Sequence, residues 1–264
     1  MLAFVGGGGK TSTIYAYASF LASQGKRVIV TTTTHMQYPC AAAGPLYTSA
    51  AEAEKRLSAV GTGAVAVCGT DDGMRGGVHR ITGLPEAEFR RCRPDSKRPF
   101  CDVVLIEADG AKMLPLKAPV ETEPVIPHGT DTVVVCAGLD AIGGRLADVC
   151  FRQEKTAGIL MRDGMMTAEK VIGCADMAHI LFRGYIEPMM TAQVPVCTCI
   201  YALLNKTDMT GGMENGRRTV QILNALVDQL HQNAEEQLRG HPVFCGTYIA
   251  SIKNREYIYE EYGK

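Results

Sequence analysis

The stretch Leu2-Ala-Phe-Val-Gly-Gly-Gly-Gly-Lys10-Thr11-Ser12 decides what kind of fold this chain has. Its apolar start is typical of a buried strand, and apolar residues that recur at helical spacing after it predict a helix. Glycines between the two elements let the backbone close around an anion with its N–H groups pointing inward. Lys10 supplies a mobile cation, and the Thr11 hydroxyl suits Mg²⁺. The stretch therefore predicts a strand, a phosphate-binding loop and a helix. The expected nucleotide contacts are Gly6, Gly7, Gly8, Gly9, Lys10, Thr11 and Ser12.

The loop is shorter than the usual phosphate-loop signature. That signature, G-x-x-x-x-G-K-[ST], would need glycine at position 4, where this chain has Phe4. The shorter pattern G-x-x-G-K-[ST], from Gly6 to Thr11, resembles the loop of Mur ligases and folylpolyglutamate synthetases. A glycine-rich turn without a ligand would explain the glycines, but not a lysine and a hydroxyl at a helix start. We therefore expect a nucleoside triphosphate, GTP or ATP, bound with Mg²⁺.

The bulk composition is ordinary for a globular protein. The chain has 264 residues, a formal net charge of −1 and no apolar run near the ~18 residues of a membrane span. Neither nucleic acid nor a membrane is an expected partner. No basic region precedes the first apolar residues, so a signal peptide is not predicted and a cytoplasmic location is expected. The ten cysteines form no C-x-x-C pair, which favours small buried hydrophobes in a reducing compartment over a metal site.

Threonines follow the second predicted strand, Val28 to Val30. In an open α/β sheet, ligands bind at the carboxyl ends of the strands. Thr33 and Thr34 lie past the strand proper, where Thr33 could face a metal ion and Thr34 the substrate, with His35 as a further donor. Threonine runs also suit strands for structural reasons alone, so both interpretations stay open.

Two acids end the next strongly apolar run. Residues 103 to 106 have the pattern of a central strand, and Glu107 and Asp109 follow at positions that point the same way in an extended chain. Acids at strand ends in phosphate-loop proteins hold Mg²⁺ or orient the attacking water. We expect Glu107 on the metal side and Asp109 facing the substrate, with Lys10 as the third catalytic residue.

Lysines and helical patterns follow. Lys112 and Lys117 lie on a proline-stiffened loop and suit an anionic substrate. Residues 151–185 interrupt the rhythm of strands, and we expect them to form a helical insertion that covers the nucleotide edge. A long amphipathic helix is predicted from Arg217 to Leu238, and a final strand from residue 243 to residue 250.

The segment Asn205-Lys206-Thr207-Asp208 follows the last central strand and matches the N-K-x-D pattern of GTPases. Its aspartate would accept two hydrogen bonds from the N–H edge of guanine, where adenine presents an acceptor. Asn205, Lys206 and Asp208 are therefore predicted to bind the nucleotide. The alternative is a turn that only leads into the next helix, and the similarity of the loop to ATP-using ligases then favours ATP.

Together these segments resemble the selenium-dependent hydroxylase accessory proteins of the YqeC type. The matching pieces, between Gly6 and Asp208, are G-G-G-G-K-T-S, T-T-T-T-H, L-I-E-A-D-G-A-K-x-L-P-L-K-A-P, A-G-L-D-A-I-G and N-K-T-D. The family pattern has a His-Arg pair after the fourth piece, where this chain has Phe151-Arg152. The resemblance implies a part in maturing selenium-containing molybdenum hydroxylases, with such a client enzyme or another maturation factor as partner.

We therefore predict one α/β domain over residues 1–264, a phosphate-loop NTPase-like three-layer fold with a mostly parallel sheet. Two functions stay open. The first is a Mg²⁺-dependent NTPase that drives maturation of a client enzyme. The second is a small-molecule kinase or ligase in which Lys112 and Lys117 hold an anionic acceptor. A nucleotide-gated binding module without catalysis is a third.

Overall fold

The computed structural model describes residues 1–39, 44–94, 99–160, 169–192, 197–234, 238 and 240–263. The chain divides into two compact units. The first comprises Met1–Phe4, Lys10–Gly110 and Val125–Pro127, and the second comprises Val5–Gly9, Ala111–Pro124 and His128–Lys264. Each contains parallel strands and helices, so the α/β class is confirmed. A single domain over the whole chain stays a prediction.

Parallel strands organise the first unit. Its strands are β1 (Leu2–Gly6, of which the first three residues belong here), β2 (Arg27–Thr32), β3 (His35–Gln37), β4 (Leu46–Tyr47), β5 (Ala64–Cys68), β6 (Thr70–Arg75), β7 (Val78–Thr82) and β8 (Val103–Glu107). Their parallel order is β4-β5-β2-β8-β1, and β3-β7-β6 form a small antiparallel sheet. Apolar runs such as β2 and β8 are buried along almost their whole length, as expected for parallel strands.

Three helices complete the first unit: α1 (Lys10–Ser23), α2 (Ala50–Val60) and α3 (Glu86–Arg91). α1 packs on β2 and β8 through a stripe that buries Ile14 and Ala18, one helical turn apart. β1 pairs with β8 so that Phe4 lies opposite Glu107. Lys10 begins the helix soon after β1, and Glu107 ends β8. The two motifs therefore meet at the carboxyl end of this sheet.

The second unit has its own strands and helices. The strands are β9 (Leu116–Lys117), β10 (Thr132–Gly138), β11 (Cys150–Phe151), β12 (Cys199–Asn205), β13 (Val243–Ser251) and β14 (Glu256–Glu261). The helices are α4 (Leu146–Val149), α5 (Gln153–Leu160), α6 (Cys174–Leu181), a π-helical turn (Phe182–Ile186), α7 (Glu187–Met190) and α8 (Gly212–Ala234), and a 3-10 turn spans Leu139–Ala141. β10, β12 and β13 run parallel, β9 pairs with β11, and α6 packs against α8.

The end of the chain differs from the sequence prediction. The strand predicted to be final, β13, is followed by the antiparallel β14. β14 was missed because its residues, Glu-Tyr-Ile-Tyr-Glu-Glu, are nearly all exposed and lack a buried apolar face. The long helix α8 begins five residues earlier than predicted, and residues 235–237 of its predicted end lie outside the described residues.

Helices occupy much of the region from 151 to 185, of which residues 161–168 lie outside the described part. Their coverage of a nucleotide stays a prediction. Within the described ranges, no helix combines the length and apolar character needed to cross a membrane.

Candidate functional site

The glycine loop is held by backbone contacts within the second unit. Gly7 N–H donates to the carbonyl of Cys136 at 2.9 Å, and Gly8 N–H donates to the carbonyl of Leu114 at 3.1 Å. A Cβ atom at Gly8 would lie 2.0 Å from the backbone nitrogen of Gly138, and the φ of Gly8 is 72°. Only glycine therefore fits there. Two N–H groups expected to face an anion bind carbonyls instead, because the loop packs so closely on its neighbours.

Lys10 and Asp109 form a buried ion pair. The Lys10 Nζ lies 3.1 Å from Asp109 Oδ1, and the two side chains are 4% and 0% exposed. Lys10 is the first residue of α1, and Asp109 follows β8 by two residues. The pair neutralises both charges away from water, where an unpaired charge would be costly. The ammonium has three donors, so it can keep its bond to Asp109 while it donates to a ligand.

Thr11 and Glu107 form the second contact of this region. The Thr11 hydroxyl donates to Glu107 Oε2 at 2.7 Å, and Thr32 Oγ1 donates to the backbone carbonyl of Glu107, also at 2.7 Å. Glu107 is buried, whereas Thr11 is half-buried. Hydroxyl and carboxylate oxygens are the ligands that Mg²⁺ prefers, so these two residues fit the ion.

No group of three His, Cys, Asp or Glu side chains within the described ranges could hold a metal ion alone. Mg²⁺ is commonly held by one or two carboxylates together with substrate phosphates and water. The pair of Thr11 and Glu107 fits that kind of site and not an all-protein cage.

The residues after β2 that were predicted to face a metal ion or substrate contact groups of the protein. Thr33 Oγ1 donates to the carbonyl of Val125 at 2.8 Å, and Thr34 N–H donates to Thr32 Oγ1 at 3.0 Å. His35 lies on β3, largely exposed, with Nε2 3.6 Å from Asp72 Oδ2. The structure therefore brings Thr32, which was not among the predicted site residues, into contact with Glu107. The Thr33 hydroxyl instead donates to a backbone carbonyl.

Asn205 ties the N-K-T-D segment to the glycine loop within the second unit. Its Nδ2 donates to the carbonyl of Gly8 at 3.0 Å, and its Oδ1 accepts from the N–H groups of Lys206 and Ile252. Because β12 and β13 run side by side, Asn205 at the end of β12 reaches the residue that follows β13. Asn205 thus fixes the loop and the segment relative to each other.

Lys206 and Asp208 have different surroundings. Lys206 Nζ lies 2.5 Å from Asp140 Oδ2, a contact that the sequence did not indicate although Asp140 belongs to the quoted A-G-L-D piece. The φ of Lys206 is 73°, a conformation that residues other than glycine rarely adopt. Asp208 is exposed, and its Oδ1 accepts from the Ser251 hydroxyl at 3.0 Å. The carboxylate of Asp208 is therefore held in place and accessible.

The two predicted substrate lysines differ in burial. Lys117 Nζ lies 2.7 Å from Glu123 Oε2, and the Lys117 side chain is 0% exposed. Arg152 binds the same carboxylate with both terminal nitrogens, Nη2 at 3.0 Å from Oε1. Lys112 is exposed, with its Nζ 4.8 Å from the ring centre of Phe151. Arg152 was missed because its partner lies 29 residues away; the signal for it was that it matches the arginine of the His-Arg pair in the family pattern.

Glu123→Gln is expected to destabilise the protein by about 2 kcal/mol, because it removes the negative charge that faces the buried Lys117 ammonium. Burial acts to raise the pKa of Glu123, but hydrogen bonds from Arg152 and Lys117 outweigh it and lower the pKa. Its stabilising effect is therefore present above the unfolded pKa and is lost as the pH falls through the folded pKa.

Urea unfolding of wild type and Glu123→Gln from pH 7 to pH 3 measures both effects. The matched control is Glu121→Gln, because Glu121 pairs with Lys155 at the surface and should have a much smaller effect. Equal destabilisation by the two substitutions at pH 7 would contradict the importance of the buried contact.

Comparison with known proteins bears out the resemblance noted from the motifs. A family model described as YqeC protein matches residues 2–154. A relative from Escherichia coli strain K12, described as uncharacterized protein YqeC, is 35% identical over 148 residues. The match covers 56% of this chain and 55% of the relative, so the chain spans about half the length of that relative. No solved structure matches. Because the family model covers more than half of the residues, including the glycine loop, Glu107 and Asp109 and the two lysines predicted to bind substrate, the chain belongs to the YqeC protein family.

Proposed function

We propose that this chain binds a nucleoside triphosphate with Mg²⁺ and hydrolyses it, and that this turnover supports the maturation of a selenium-dependent molybdenum hydroxylase. The fold that the proposal implies is a phosphate-loop NTPase-like three-layer arrangement. The observation that carries it is the pairing of Lys10 with Asp109 beside the pairing of Thr11 with Glu107. A cation, a hydroxyl and two carboxylates at one helix start are the groups that phosphoryl transfer requires.

Each of these residues has a distinct role in the proposal. Lys10 donates to the terminal phosphates while Asp109 holds its ammonium in position. The N–H groups in the first turn of an α-helix point toward its N-terminus, where the helix dipole favours an anion such as phosphate. Thr11 and Glu107 would hold Mg²⁺, which would neutralise charge on the transferring phosphoryl group. Asp109, at hydrogen-bond distance from Lys10, is the group proposed to orient the attacking water.

The proposed link to a molybdenum hydroxylase rests on the family resemblance. The proposed triphosphate hydrolysis rests on the contacts of Lys10 with Asp109 and of Thr11 with Glu107. A small-molecule kinase or ligase is the second candidate, favoured by the exposed ammonium of Lys112 beside Phe151. Phosphate release from purified protein, measured with GTP or ATP and Mg²⁺, tests the proposal. Acceleration by a client hydroxylase supports the first candidate, and a requirement for a small acid supports the second. Failure to bind any triphosphate would contradict both.

The base preference is a separate prediction. Asp208 is exposed and held by Ser251, so its carboxylate can accept from the N–H edge of guanine, whereas adenine would present an acceptor to it. GTP should therefore bind at least about tenfold more tightly than ATP. Asp208→Asn should narrow this difference and admit xanthine nucleotides, whose extra carbonyl can accept from the amide.

Competition of GTP, ATP and XTP against one fluorescent nucleotide measures this preference. Glu214→Gln, in the first turn of α8, removes an exposed carboxylate from the same unit and should leave the preference unchanged. Equal displacement by GTP and ATP, or stronger displacement by ATP, would contradict recognition of the base by Asp208. The N-K-T-D segment would then serve only to hold the glycine loop.

A further inference from the structure

A cluster of charged side chains surrounds the ring of Phe151 in the second unit. Lys112 Nζ lies 4.8 Å from the ring centre, and Arg152 Cζ lies 4.9 Å from it. Arg152 also binds Glu123, which in turn binds the buried Lys117. We call these five residues the Phe151 cluster. They come from β9, β11 and the connections beside them, which the pairing of β9 with β11 brings together.

The Phe151 cluster carries a surplus of positive charge. It contains three cationic side chains and one carboxylate, so cationic groups outnumber acidic groups among these five residues. The neighbouring Lys155 adds nothing to this surplus because Glu121 neutralises it at 2.6 Å. Within the described part of the chain, Lys112 has no carboxylate at ion-pair distance. A ring face attracts a cation, but it does not cancel its charge.

Two of the cluster's cations remain able to contact a ligand. Lys117 is fully buried on Glu123 and is not one of them. Arg152 uses its two terminal nitrogens on Glu123 and keeps further N–H donors, since a guanidinium has five. Lys112 is exposed. Both residues have left-handed backbone, with φ of 48° and 67°, so the fold holds two charged residues beside one ring in an unfavourable conformation.

We propose that the Phe151 cluster binds a small dianion, a dicarboxylate or a phosphate monoester, through Lys112 and Arg152. One anionic group can pair with the Lys112 ammonium and the other with the remaining N–H donors of Arg152. The Phe151 ring, together with the 73% exposed Met113, offers apolar contact to a carbon skeleton. Glu123 and Lys117 are positioning residues that hold the guanidinium. The site does not depend on nucleotide binding.

Lys112→Gln tests this site without disturbing the buried ion pairs. Titration calorimetry at low ionic strength would use succinate and inorganic phosphate as probes, with chloride as the reference anion. Loss of one charge-assisted contact should weaken binding of the dianion about tenfold. Lys112→Arg should retain the affinity. Lys55→Gln, an exposed lysine of α2 in the other unit, makes the same charge change and should have no effect.

The two probes separate the outcomes. If Lys112→Gln weakens the binding of both succinate and phosphate and Lys55→Gln does not, the result supports a general dianion site. If Lys112→Gln weakens the binding of succinate but not of phosphate, it supports a dicarboxylate site. The proposal is overturned if neither succinate nor phosphate binds, or if Lys112→Gln and Lys55→Gln lower the affinity for these probes equally. Phosphate binding that Lys112→Gln does not change would be assigned to the glycine loop. Because succinate binding requires no triphosphate, failure here and failure of the NTPase proposal are distinguishable.

Discussion

Lys10→Met is expected to weaken triphosphate binding by about 100-fold or more and to abolish hydrolysis. Lys10 is the cation at the start of α1, and its ammonium can donate to the terminal phosphates while it remains on Asp109. Methionine keeps most of the side-chain volume and removes only the charge and the donors. Displacement of a fluorescent triphosphate in the presence of Mg²⁺ measures the loss.

The same substitution also affects stability. It leaves Asp109, which is 0% exposed, without its cation, and breaking a buried pair in this way costs about 3–5 kcal/mol. The double variant Lys10→Met/Asp109→Asn removes both charges and should recover much of that stability. Its nucleotide binding should stay as weak as that of Lys10→Met. A folded double variant with wild-type affinity would show that phosphates do not bind at Lys10.

Glu107→Gln is expected to lower turnover by about 100-fold or more while nucleotide affinity changes much less. The amide oxygen can still accept from the Thr11 hydroxyl, so the local structure should be retained. It lacks the negative charge that holds Mg²⁺, so more Mg²⁺ should be needed for half-maximal rate. Asp109→Asn should also lower turnover, with no change in the Mg²⁺ requirement, because Asp109 is assigned to Lys10 and the attacking water.

Initial rates over a Mg²⁺ titration distinguish the two acids. The control is Glu86→Gln, which removes an exposed carboxylate from α3 in the same unit and should leave rate and Mg²⁺ dependence unchanged. Wild-type rates in both Glu107→Gln and Asp109→Asn would refute the proposed catalytic roles.

The sequence by itself determined the main buried strands and the family. Apolar runs gave the positions of β1, β2, β8, β10 and β12, because a strand buried on both faces needs a continuous apolar segment. The glycines before α1 and the lysine and hydroxyl at its start marked the loop. Glu107 and Asp109 were correctly placed at a strand end, since Glu107 is the last residue of β8 and Asp109 follows it. The motif combination also identified the YqeC family, which the family model confirms.

Only the tertiary structure decided which partner each polar side chain has. Thr11 and Glu107 are 96 residues apart, and Gly8 and Asn205 are 197 apart, so strand register and loop packing had to bring them together. The same packing buried Lys117 on Glu123 and turned the Thr33 hydroxyl to the carbonyl of Val125. Local sequence patterns determine the backbone position from which a long side chain extends. Its charged end pairs with whichever group the fold brings within about 3 Å, and sequence spacing does not encode that group.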